Sequence, residues 1–170
     1  CNGGNESPTF ANGNHLPNYI LGTKMTAVSG GTLTGLSLTG IGGTGSLVKM
    51  GLYADNAGVP GALLATSSTA LVTTGTVTLP VTPIAILPGN YWVMAIYDVG
   101  GVVTHTNSPS TKTVYYTSLP FASALPANAG GFTSYTGQDF NYWMNITCTG
   151  ASCNGGNESP TFANGNHLPN

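Results

Sequence analysis

No stretch of this chain carries apolar residues at helical spacing for long enough to make an amphipathic helix. Instead, short runs such as "YILGTKMTAV", "GTLTGLSLTG", "SLVKMGLYAD", "YWVMAIYD" and "DFNYWMNITC" alternate apolar with small or polar residues, and clusters of Gly, Pro and Asn separate them. Period-two runs bounded by turn residues read as β-strands. In "SLVKMGLYAD", Val48, Met50 and Leu52 fall on one face. In "DFNYWMNITC", Phe140, Tyr142, Met144 and Ile146 share a face. In "YWVMAIYD" both faces are apolar, Tyr91, Val93, Ala95 and Tyr97 against Trp92, Met94 and Ile96, which predicts a central strand. About eight to ten such strands without a helix predict an all-β, antiparallel, jelly-roll-like β-sandwich.

A second feature bears on organisation. The segment "CNGGNESPTFANGNHLPN" stands at positions 1–18 and again, without a substitution, at 153–170. Its copies start 152 positions apart, the size of one domain. The expected division is therefore one sandwich repeat over 1–152, with 153–170 the start of the next identical repeat or a segment shared with a neighbouring subunit. Either arrangement relates units by one constant transformation, which propagates as a rod or helix unless it closes a ring. The segment itself is rich in Asn, Gly and Pro and is expected to be mostly loop.

Composition narrows the function. Charged residues make up 5% of the chain, with no Arg and only Lys24, Lys49 and Lys112, for a net charge of -2. Ordinary soluble domains are about 25% charged. A charge this sparse makes no positive field for nucleic acid or anionic lipid. No apolar run approaches the ~20 residues of a membrane-spanning helix, so membrane insertion is not expected. The polar remainder is Thr, Ser, Asn and Gly, a surface with little repulsion between copies, and three lysines give trypsin-like proteases few sites.

Through "LVKMGLYADNAGVPGALLATSS" and "LPGNYWVMAIYD", residues 19–147 resemble bacterial extracellular jelly-roll domains of the carbohydrate-binding-module type. The resemblance is carried by Gly51, Leu52, Tyr53, Asp55, Gly58, Pro60, Gly61, Leu63 and Leu64, then by Leu87, Gly89, Tyr91 and Trp92. It implies a jelly-roll fold and a setting outside the cell or on its surface, and it brings no catalytic residues.

The candidate sites are few. The repeat holds two cysteines, Cys148 and Cys153, and Cys1 is the counterpart of Cys153. A bridge could join Cys148 to Cys153 or to Cys1, and either needs an oxidising compartment. His15 and His105 are isolated and no CxxC pair exists, so no metal site and no cofactor are expected. Trp92, Trp143, Tyr91 and Tyr142, in the related stretches "NYWVMAI" and "NYWMNI", are either core and subunit contacts or a platform for sugar rings. Asp55 in "ADNAG" reads as a turn residue, with weak calcium binding as the alternative. Asn145-Ile146-Thr147 is a glycosylation sequon. A Lys-to-Asn isopeptide bond is conceivable for Lys24, Lys49 or Lys112 but requires a buried acid that no motif locates. Glycoside hydrolysis needs two carboxylates flanking one bond, and the acids here are scattered. The expected role is a structural one: an extracellular filament subunit, in a cell-surface or biofilm-matrix fibre, whose partners are copies of itself. The alternative is a glycan-binding adhesin repeat.

Overall fold

The structure, a computed structural model, describes residues 2–6, 11–41, 45–100, 102–107 and 110–148, with the backbone alone described at 11–12 and 102–107. The second copy of the duplicated segment, with Cys153, and also Cys1 lie outside the described residues. Those described form an antiparallel β-sandwich without a helix.

Two sheets of seven strands face each other. The first has the order β1 (Gly3–Gly4), β14 (Tyr142–Cys148), β4 (Gly31–Ile41), β10 (Val102–Asn107), β13 (Asp139–Phe140), with β8 (Thr74–Ile86) also on β4 and β2 (Ala11–His15) also on β10. The second runs β12 (Thr133–Thr136), β11 (Thr113–Ser118), β3 (Tyr19–Ala27), β9 (Gly89–Tyr97), β5 (Leu47–Asn56), β6 (Val59–Thr66), with β7 (Ala70–Leu71) also on β5. The fourteen segments exceed the expected eight to ten, because short edge pieces such as β1, β7 and β13 pair over two residues each.

The main core lies between the sheets. Val48, Met50 and Leu52 of β5, Val93, Ala95 and Tyr97 of β9, Leu36 and Leu38 of β4, and Phe140, Tyr142, Met144 and Ile146 of β13 and β14 meet there. Burying such side chains contributes about 1.5–3 kcal/mol each. A second core covers the other face of the second sheet. Trp92, Met94 and Ile96 of β9, with Ile20 and Tyr53, pack under Leu125, Ala129 and their neighbours in the 119–132 connection. The two apolar faces of β9 thus have separate partners. Lys49 fastens this connection by donating to the backbone oxygens of Phe121 (2.6 Å) and Ser123, and burial lowers its pKa.

Two local readings change. Although Pro was expected to separate strands, Thr74–Ile86 form one thirteen-residue strand, β8, which passes through Pro80 and Pro83. β8 ladders with β4, the register shifts between Pro80 and Ile84, and an isolated bridge joins Val81 to Ser67 on the other side; proline is tolerated at such an irregularity. "NAGVPG" is not loop throughout: the turn is Ala57 and Gly58 alone, and β6 starts at Val59.

Candidate functional site

The duplicated segment is the natural place to build from, and among its described residues the first copy contributes two strands to the expected loop. β1 pairs with β14, Gly3 opposite Met144 and Gly4 opposite Trp143. β2 pairs with β10 along its whole length, from His15 opposite Val102 to Ala11 opposite Thr106. Composition hid these strands because backbone groups on neighbouring edges, not apolar periodicity, recruit them. The two glycines allow the approach. A Cβ on Gly3 would stand 2.7 Å from the Thr26 carbonyl oxygen, and one on Gly4, at φ 122°, 2.6 Å from that of Tyr142.

Side chains complete the docking. Asn2 Oδ1 accepts from the Ile146 amide at 3.2 Å. The Asn18 amide donates to Tyr97 O, and Asn18 Oδ1 accepts from the Phe121 amide at 2.8 Å. His15 is buried against the rings of Tyr97 (4.8 Å) and Phe140 (5.4 Å), and desolvation lowers its pKa from 6.5 to about 4. Behind it the Tyr97 and Tyr142 hydroxyls share a buried hydrogen bond of 2.9 Å, and burial, with the neighbouring Tyr97, raises the Tyr142 pKa well above its usual value.

Just after β1 the segment meets a buried carboxylate at Asn5. Asp139 Oδ1 accepts from Thr23 Oγ1 and from its neighbour's amide at Phe140, both at 2.9 Å. Its Oδ2 accepts from Asn5 Nδ2 at 3.0 Å and pairs with Lys112 Nζ at 2.8 Å. Asn5 Nδ2 also donates to Phe140 O, 2.9 Å away. Both of its acceptors are oxygens that carry no proton, which orients the amide. A cavity of about 350 Å3 opens beside this cluster, lined by Asn5, Lys24 and Lys112.

A second cavity, of about 340 Å3, lies among His15, Leu16, Tyr19, Tyr116, Tyr135 and Gln138. Tyr116 stands between Tyr19 (6.4 Å) and Tyr135 (5.6 Å), and Tyr135 donates to Gln138 Oε1. These tyrosines come from β3, β11 and β12, which are neighbours in the sheet and far apart in sequence. No linear motif announces them.

The aromatics singled out from sequence sit elsewhere. Trp92, Trp143 and Tyr142 are buried within the unit. Trp92 Nε1 donates to Asp55 Oδ1 at 2.7 Å, and Trp143 Nε1 to Asn145 Oδ1 at 3.1 Å. Tyr91 is half-buried and its hydroxyl donates to Leu87 O, closing the turn before β9. Asp55 stands in β5 opposite Pro60, and its side chain holds the turn that follows, Oδ2 accepting from the Gly58 amide at 3.2 Å. Asn145 lies within β14, and the nitrogen a glycan would take donates to Ser37 Oγ at 2.6 Å. Cys148 is disulfide-bonded, and both cysteines that could partner it are outside the described residues. Among the described residues no group of His, Cys, Asp or Glu has the arrangement of a metal site. No protein-family model and no curated protein matches the chain.

Proposed function

We propose that the protein is a structural subunit of an extracellular filament, a cell-surface or matrix fibre built by tandem repetition or end-to-end polymerisation of one β-sandwich. The observation that carries this reading is the place of the duplicated segment. Its first copy supplies β1 and β2, which pair with β14 and β10 and seat His15 in the core. An identical segment has identical hydrogen-bonding and burial requirements, and within one unit that surface is taken. The matching surface belongs to another unit, reached either as the next repeat of one chain or by strand addition to a separate copy.

Supporting features are physical rather than diagnostic. Ladder hydrogen bonds bear load along the strands, a bridge at Cys148 ties the end of β14, and a surface with three lysines and no arginine opposes lateral association only weakly. The first test is the mass of native material under denaturing conditions, with and without reductant, beside electron microscopy of the undenatured sample. Fibres whose ladder survives reduction indicate a tandem chain, and fibres that collapse to unit mass indicate exchanged subunits. A monomer that forms no fibre overturns the reading.

One observation favours a second reading, a glycan-binding adhesin repeat. Tyr19, Tyr116 and Tyr135 border an open cavity of a size that admits a sugar ring, and Tyr135 is exposed. Calorimetric titration of soluble glycans into the wild type and Tyr135→Ala tests it. Heat that the variant loses supports the adhesin, and no heat with any glycan removes it.

A further inference from the structure

The Asp139 cluster brings together two groups whose meeting is chemically specific. Asp139 is 4% exposed, and the two side chains sharing its Oδ2 are a primary amine, Lys112, and a primary amide, Asn5. Condensation of such a pair gives a secondary amide and ammonia. We propose that Lys112 and Asn5 join in an intramolecular isopeptide bond, with Asp139 moving the protons.

The step balances without a co-reactant. The Lys112 ammonium gives a proton to the Asp139 carboxylate across the 2.8 Å that separates them. The freed amine attacks Asn5 Cγ while the carboxylic acid protonates the amide oxygen, and a tetrahedral intermediate forms. Asp139 then takes the second proton from Nζ and delivers it to Nδ2, to which it is already hydrogen-bonded. The Cγ–Nδ2 bond breaks, Cγ–Nζ remains, the hydroxyl proton returns to Asp139 as the carbonyl re-forms, and the ammonia takes that proton from Asp139 and leaves as ammonium. Holding both reactants on one oxygen replaces a bimolecular encounter with an intramolecular one. The cavity beside Asn5 and Lys112 offers the ammonia a way out, and the Lys112 side chain is 39% exposed.

The other lysines are placed differently. Lys49 is committed to the Phe121 and Ser123 carbonyls. Lys24 borders the same cavity but its ammonium lies over the Trp92 ring, 6.0 Å from the centroid. The bond would tie the N-terminal segment, which ladders with the first sheet, to the residue preceding β11 in the second. It lies within one chain and holds whether or not units polymerise.

The test is intact-mass spectrometry of the purified full chain after reduction and alkylation, followed by trypsin. The three lysines divide the chain into 1–24, 25–49, 50–112 and 113–170. The expected result is a mass short by one ammonia and a branched species joining 1–24 to 50–170, since an acylated Lys112 no longer directs cleavage. Lys112→Arg keeps a cation beside Asp139 without a nucleophilic amine, and Asp139→Asn keeps the shape without the acid–base group. Both, checked for native circular dichroism, should show the full mass, whereas Lys24→Arg should retain the deficit. Folded wild type at full mass overturns the proposal. So does a deficit that persists in Lys112→Arg, which would mark succinimide formation at one of the Asn-Gly pairs instead.

Discussion

His15 is a basic side chain placed where a charge is expensive, between two aromatic rings at the root of β2. Its pKa is about 4 in the fold against 6.5 in the unfolded chain, so between those values the unfolded state binds more protons. Stability is therefore full above pH 6.5, falls as the pH drops, and has lost this contribution below about 4. At ~1.4 kcal/mol per pH unit the loss is about 3 kcal/mol. Denaturant titrations across that range should show the slope, and His15→Phe should flatten it. Tyr53 poses the opposite case, since its hydroxyl is buried without a hydrogen-bond partner among the described residues, and burial raises its pKa. Tyr53→Phe removes an unsatisfied polar group and should leave stability unchanged or raise it by up to about 1 kcal/mol in the same titration. Neither environment can be read from the letters: isolated in sequence, His15 and Tyr53 acquire neighbours only through pairing and packing.

At the scale of elements, the alternation predicted faces correctly wherever a strand is long and packed on both sides. The faces of β9 separate as expected, Val93, Ala95 and Tyr97 into one core and Trp92, Met94 and Ile96 into the other. Pattern fails on edges. β8 passes through two prolines because its ladder with β4 is irregular between them, and β1 and β2 form from a polar, glycine-rich segment because partners are waiting for their backbone. The β5–β6 hairpin shows a turn with one unsuited residue. Ala57 (φ 52°) and Gly58 (φ 89°) occupy the two central positions between paired Asn56 and Val59, as a type I′ turn requires, and alanine is strained there. Ala57→Asn, which tolerates the left-handed region, should stabilise the protein by about 1 kcal/mol, measurable as a shift in the denaturation midpoint.

For the whole molecule, the duplicated segment links fold to proposed role. Asn157 stands in the second copy where Asn5 stands in the first. Under the two proposals Asn5 takes Lys112 of its own unit, so the isopeptide bond adds no link between units, and Lys112→Arg should leave the pattern of masses on denaturing electrophoresis unchanged with and without reductant. A continuous tandem chain keeps its high mass in that variant. The sequence by itself determined the all-β class, the inward faces of the central strands, the sparse charge and the verbatim repeat, because these depend on local alternation and on counting. Tertiary structure alone decided which distant groups meet. Asn5, Lys112 and Asp139 arrive from the N-terminal edge of the first sheet, the approach to β11 and the strand β13, and the three cavity tyrosines from adjacent strands. Such meetings follow from strand order and register, and these are set by the packing of one sheet on the other, over separations that no local pattern spans.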